Sequence, residues 1–188
     1  GSSGNTLNVK DYSSYGNNGT YNVNDTNAGP YWNATGGHDG LGAYYFDGID
    51  DYISIPDVDI LDFEQENMSV SLWVRSSANL TDTNAGRMFG KGRTGSFIGY
   101  DLYYKSSTDK LGWGDVAGGV YKNNVGMDDF NWHHLVVTYQ ENNSYRMFLD
   151  GVELAGVGSG LEDGFNVTDT NFTIGCRLPY NLPSQHFK

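Results

Sequence analysis

Residues 131–151, NWHHLVVTYQENNSYRMFLDG, restrict the fold more than any other stretch. Leu135, Val136, Val137, Thr138 and Tyr139 follow Trp132, His133 and His134, and such β-branched and aromatic runs suit a pleated, largely buried strand. Gln140 to Asn143 supply polar turn residues. Residues 144–149 then alternate, with Tyr145, Met147 and Leu149 on one face and Ser144, Arg146 and Phe148 on the other. Asp150-Gly151 is a two-residue turn signal, and Val152 to Leu154 turn back as a short strand. A meander centred here calls for sheets on either side of a common core.

The remaining chain repeats this grammar. Residues 68–75, MSVSLWVR, alternate strictly: Met68, Val70, Leu72 and Val74 face one way, Ser69, Ser71, Trp73 and Arg75 the other. Strands are predicted at 5–10, 43–46, 52–55, 87–91, 97–105, 110–114, 119–122 and 171–175. Residues 43–46 and 52–55 are read as a hairpin around Asp47-Gly48, and 21–42 as loop, broken by Pro30, Gly36 and Gly37. Residues 58–63 read as a surface crossing with one helical turn. No stretch has helical periodicity, and 26 glycines and 14 tyrosines suit short strands and tight turns. About ten such strands predict an all-β, two-sheet antiparallel sandwich of the jelly-roll type. The 188 residues suffice for one domain, 1–188, with a substantial core.

Charge and composition exclude several functions. The net charge of −12 leaves no basic stripe, so nucleic acid is not an expected partner. No apolar run reaches membrane-spanning length, so this segment is not expected to insert. The single cysteine, Cys176, cannot form an internal disulfide and is expected to be a small buried residue. His133 and His134 are adjacent and so face opposite sides of a strand, one packed or hydrogen-bonded inside and the other toward solvent. His38 and His186 lie in loops without an evident site.

DYSSYGNNGT, YYFDGIDDYISIP, MSVSLWVR, NWHHLVVTYQ, YRMFLDG and FTIG occur in that order along nearly the whole chain. This order resembles laminin-G-like domains of the concanavalin A-like lectin/glucanase superfamily, especially the bacterial and archaeal LamG-like jelly rolls. Pentraxins share the Trp-His-His strand followed by a strand ending in Asp-Gly. The resemblance implies a concanavalin A-like fold. It also implies two terminal strands that pair side by side, and both look trimmed here. The domain is therefore expected to be part of a larger surface protein, with GSSG more plausibly native than a tag.

Glycoside hydrolysis in this superfamily uses two glutamates close together on one strand, about 5–5.5 Å apart for a retaining mechanism. Glu64, Glu66, Glu141, Glu153 and Glu162 form no such cluster, so no catalytic residue is assigned and the domain is not expected to be an enzyme. Related domains often hold a structural Ca²⁺ at a sandwich edge. Asp47, Asp50 and Asp51 at one turn, with Asp11 and Asn17 in a loop resembling its neighbour, are the candidate oxygen ligands. The same residues are also ordinary turn formers.

Tyr31, Trp32, Tyr100, Tyr103, Trp113 and Tyr121 are candidates for an aromatic platform. Trp32, Tyr100, Trp113 and Tyr121 are the assigned ligand-binding set, while Trp73 and Trp132, on strands, are assigned to packing. Asn18, Asn24, Asn33, Asn67, Asn79, Asn142, Asn166 and Asn171 begin Asn-x-Ser/Thr sequons, most in predicted loops. Together these features indicate a non-enzymatic extracellular or cell-surface module for adhesion. Its expected partners are a glycan, a surface protein, or other domains or copies of the parent protein. The alternatives are a purely structural module of a surface layer or filament, and a carbohydrate-binding accessory module of a secreted glycan-degrading enzyme.

Overall fold

The long apolar runs become the inner strands of two sheets, and the polar turn residues become their crossings. The computed structural model describes residues 5–24, 27–63, 67–76, 86–93, 98–114, 120–140, 144–155 and 169–176. The strands are β1 (Asn5–Val9), β2 (Gly19–Asn24), β3 (Asn27–Ala28), β4 (Tyr31–Asn33), β5 (Ala43–Tyr45), β6 (Ile53–Ile55), β7 (Met68–Val74) and β8 (Gly86–Arg93). They continue with β9 (Ile98–Lys105), β10 (Lys110–Trp113), β11 (Val120–Asn123), β12 (His133–Gln140), β13 (Ser144–Leu149), β14 (Val152–Glu153) and β15 (Phe172–Ile174). Short 3-10 turns at Asp59–Leu61 and Ser106–Thr108 are the helical elements among the described residues. No helix there is long and apolar enough to cross a membrane.

The large sheet runs β1-β2-β6-β15-β8-β9-β10-β11, with β3 added on β2, and the small sheet runs β14-β13-β12-β7. All described pairings are antiparallel. The fold is thus the expected all-β sandwich. Strands distant in the chain meet in one sheet: Thr20 of β2 lies opposite Ser54 of β6, and Phe172 of β15 opposite Ile55. Leu102, Tyr104, Leu111, Trp113 and Val120 from the large sheet pack with Leu135, Val137, Tyr139 and Met147 from the small one. The alternation read from β7 is observed, with Met68 and Val74 buried and Ser69, Ser71, Trp73 and Arg75 exposed. At one end of the core, buried Lys91 pairs with Asp62 and lies 2.5 Å from Asp57, which pins the 3-10 crossing to β8.

Two expectations fail. Residues 21–42 are not all loop: β2 continues to Asn24, and β3 and β4 follow. Thr20, Tyr21 and Val23 carry a strand signal that the interspersed asparagines obscure, and pairing with β1 stabilises it. Residues 43–46 and 52–55 do not form a hairpin either, since β5 pairs with β4, whereas β6 joins β15 and β2. Side chains shape the turn between them. Asp51 accepts the Asp47 N–H at 2.8 Å, and Asp47 Oδ1 accepts those of Ile49 at 2.8 Å and Asp50 at 3.4 Å. A turn closed by carboxylates can redirect the chain between sheets, which a two-residue hairpin turn cannot. The expected trimming of terminal strands and the origin of GSSG concern residues outside those described.

Candidate functional site: an aromatic cleft along a sheet edge

β7 is the last strand of the small sheet among the described residues. Along its edge, facing the β4–β5 ribbon, runs a cleft of about 580 Å³. Its floor is apolar, with Val70, Leu72, Phe89, Phe172 and Ile174 among its lining. Its mouth is aromatic and carries Arg75.

Strand parity builds the mouth. Trp73 projects outward from β7 and His134 outward from β12, and the register sets them opposite one another. Their rings stack at 5.0 Å and 29°. His134 Nε2 lies 2.8 Å from the Ser71 hydroxyl. Just beyond the paired stretch, the Arg75 guanidinium sits 5.1 Å from the Trp132 indole centroid. His38 arrives from another part of the chain and meets Trp73 edge-on at 3.8 Å. Its loop is held by Gly37 N–H donating to Leu41 O at 2.6 Å and Leu41 N–H to Asp39 Oδ1 at 2.9 Å. On the opposite bank Trp32 leans on Tyr44 at 4.9 Å. Gly42 lies so close beneath Trp32 that an added Cβ would come 1.8 Å from the ring. Trp73 and Trp32 are each 49% exposed. Half-exposed rings held in place by such neighbours offer apolar surface to a ligand.

Residues 46–188 match the sequence family described as the Concanavalin A-like lectin/glucanases superfamily, of laminin G type. The chain belongs to that superfamily. Among solved structures, this laminin G-like domain is similar to the binding domain of Paraclostridial Mosquitocidal Protein 1, at 14% identity and TM-score 0.68 over 97% of this chain and 45% of that one. It is also similar to the Botulinum neurotoxin serotype G binding domain, at 14% identity and TM-score 0.56 over 87% and 42% of the two chains. For domains LG4-5 of the mouse laminin alpha1 chain the values are 14% and 0.50 over 72% and 36%. The laminin G-like domain spans less than half the length of each of these chains. No curated protein matches it in sequence.

The four aromatics assigned to ligand binding from the sequence do not form one site. Trp32 lies in the cleft. Tyr121, 42% exposed, sits on β11 at an outer edge of the large sheet with the Lys110 ammonium 3.7 Å above its ring. Tyr100 and Trp113 are core residues, 3% and 0% exposed, and cannot form a platform. The Tyr100 hydroxyl donates to Leu61 O at 2.9 Å, and burial, with the charge of Asp62, pushes its pKa up. Trp113 packs 5.9 Å from Phe89 and 5.8 Å from Tyr100. Conversely, Trp73, assigned to packing, is half exposed and central to the cleft, and Trp132 lines it as well. The alternation of MSVSLWVR already set Trp73 on the face of Ser69, Ser71 and Arg75, which was the available signal. His38 could not be linked to Trp73 from sequence spacing.

The two histidines divide as expected. His133 is buried, with Nδ1 2.8 Å from Asp150 Oδ2 and Nε2 3.0 Å from Asp129 Oδ1. Burial pulls its pKa down, but the hydrogen bonds and charges of Asp150 and Asp129 outweigh it, so the net shift is upward. Hydrogen bonds from Asn131 and His133 hold Asp129 at about 2. Cys176 is buried, and burial pushes its thiol up to about 12.

Of the proposed metal ligands, Asp47, Asp50 and Asp51 gather with carboxylate atoms within 4.8 Å of one another. Asp11 does not join that group. Asp11 closes its own turn, accepting the Asn17 N–H at 2.8 Å and the Ser13 N–H at 2.8 Å, and these bonds with the Ser13 hydroxyl lower its pKa. Asn18, Asn33, Asn67 and Asn171 are exposed. The hydroxyl of Thr173 that completes the Asn171 sequon is buried 2.6 Å from Cys176 O, which makes this a poor acceptor in the folded domain. The Asn24 side chain, and Asn79, Asn142 and Asn166, lie outside the described residues.

Proposed function

We propose that this laminin G-like domain is a non-enzymatic binding module of a secreted or cell-surface protein, and that it takes glycan partners through the cleft along β7. The exposed indoles of Trp73 and Trp32 facing a cleft of about 580 Å³ carry this reading. Sugar rings offer apolar C–H faces to such surfaces, with polar edges for nearby side chains. The solved relatives titled as binding domains are compatible with it.

The two other readings stay open to the same test. A structural module of a surface layer would use the cleft against protein, and an accessory module of a glycan-degrading enzyme would bind the polymer its partner domain cleaves. The experiment is a glycan array probed with the whole chain, wild type and Trp73→Ala. Signals lost with Trp73→Ala support the reading; a blank array overturns it in favour of protein assembly.

Calcium is retained as a structural proposal for the Asp47, Asp50 and Asp51 turn, where three carboxylates suit a hard cation. A chelator should then lower the melting temperature by removing a ligand of the native state; an unchanged melting temperature rejects calcium there.

A further inference from the structure

Resting on the glycan reading above, we propose that the cleft selects a sugar bearing a carboxylate, with Trp73 stacking on the ring and Arg75 pairing with the acid group. The charge distribution argues for this. The chain carries −12 overall, yet the titratable side chains around Trp73 are His38, His134 and Arg75, with Asp39 as the acidic group beside them. Asp39 lies 3.9 Å from His38.

Arg75 differs from the other arginines whose side chains are described. Arg87 is held by Asp101 at 2.9 Å and Arg146 by Glu153 at 2.7 Å. Among the described residues no carboxylate pairs with Arg75, which is exposed and lies over the Trp132 ring. Stacking on an indole orients a guanidinium while leaving its edge of N–H donors open, in the fork geometry that matches a carboxylate.

The spacing fits. Trp73 and Arg75 project from the same face of the chain two residues apart, about 7 Å at strand rise. A pyranose lying on Trp73 therefore brings an exocyclic carboxylate within reach of Arg75. The overall acidity of the domain disfavours densely charged polyanions through long-range repulsion. A single carboxylate on an otherwise neutral sugar meets the local cation with little of that penalty.

Calorimetric titration of the whole chain tests the assignment. One arm compares methyl galacturonoside, which carries a single carboxylate, with its methyl ester, which keeps the ring and removes the charge. A second compares sialyllactose with lactose. In at least one arm the acidic sugar should bind about tenfold more tightly than its neutral counterpart, and the preference should shrink as salt rises. Arg75→Gln, with an unchanged melting temperature, should erase the preference, and Trp73→Ala should remove binding. Equal affinity for acidic and neutral sugars would overturn the inference while leaving glycan binding standing. Absence of binding in both arms would overturn the inference, and a blank glycan array with it would remove the glycan reading too.

Discussion

Trp113 and Trp73 are both strand residues, and they have opposite surroundings. Trp113 lies in β10, flanked on both sides by β9 and β11, with its indole fully enclosed by Phe89 and Tyr100. Trp73 lies in β7 at the end of its sheet, pointing away from the core with half its surface open. Their sequence neighbours suggest the reverse. Trp113 sits between Gly112 and Gly114 without apolar neighbours, whereas Trp73 sits between Leu72 and Val74. In a strand, however, apolar neighbours at i±1 mark the opposite face. Gly112 is itself a packing device, because an added Cβ would come 2.1 Å from the Tyr103 ring on the other side of the sheet. The face and the flanking strands decide an aromatic's role; local hydrophobicity does not.

Deleting the buried indole should have the largest effect. Trp113→Ala is expected to cost about 3–5 kcal/mol, read as a lowered midpoint in chemical denaturation. A cost near zero would mean that Trp113 is not enclosed and would dissolve the contrast.

The adjacent histidines sharpen the same contrast, one inside and one stacked on Trp73. The His133 pKa is raised in the fold, so its contribution is complete below its ordinary value of 6.5 and is lost as pH rises through the raised value. Asp129 and Asp150 are lowered, so theirs is complete above 3.8 and is lost as pH falls, for Asp129 toward about 2. Stability should therefore plateau between about pH 4 and 6.5 and fall on both sides. Melting temperatures across pH should show the alkaline decline flattened in His133→Ala and kept in His134→Ala. A decline of equal slope in both variants would contradict the assignment.

A smaller effect is expected on the cleft wall. Gly42→Ala must displace the Trp32 ring, but that ring is half exposed and can move. A stability loss of about 1 kcal/mol should accompany a change in tryptophan fluorescence, and an unchanged spectrum would show that Gly42 does not set the ring's position.

Much of the fold was legible because alternation and turn chemistry are local. The β12–β13 hairpin, the faces of β7, and β8 to β11 follow from residues a few positions apart. Early strands were harder, since asparagine and glycine weaken the signal of β2 and β4, whose stability comes from pairing with β1 and β5. The Asp47-Gly48 signal marked a turn but could not show that the turn changes sheets. The site was legible only in pieces. Trp32 was identified and the outward parity of Trp73 was visible, but His38 reaches Trp73 through tertiary packing alone. Tyr100 and Trp113 are enclosed by packing between the sheets, which their local sequence does not carry.

The central claim is that the cleft aromatics bind whereas the core aromatics hold the fold. Trp73→Ala tests it most directly in one paired measurement of melting temperature and calorimetric glycan affinity. The account predicts a stability change within about 0.5 kcal/mol of wild type together with lost binding. Retained affinity, or destabilisation comparable to Trp113→Ala, would contradict it.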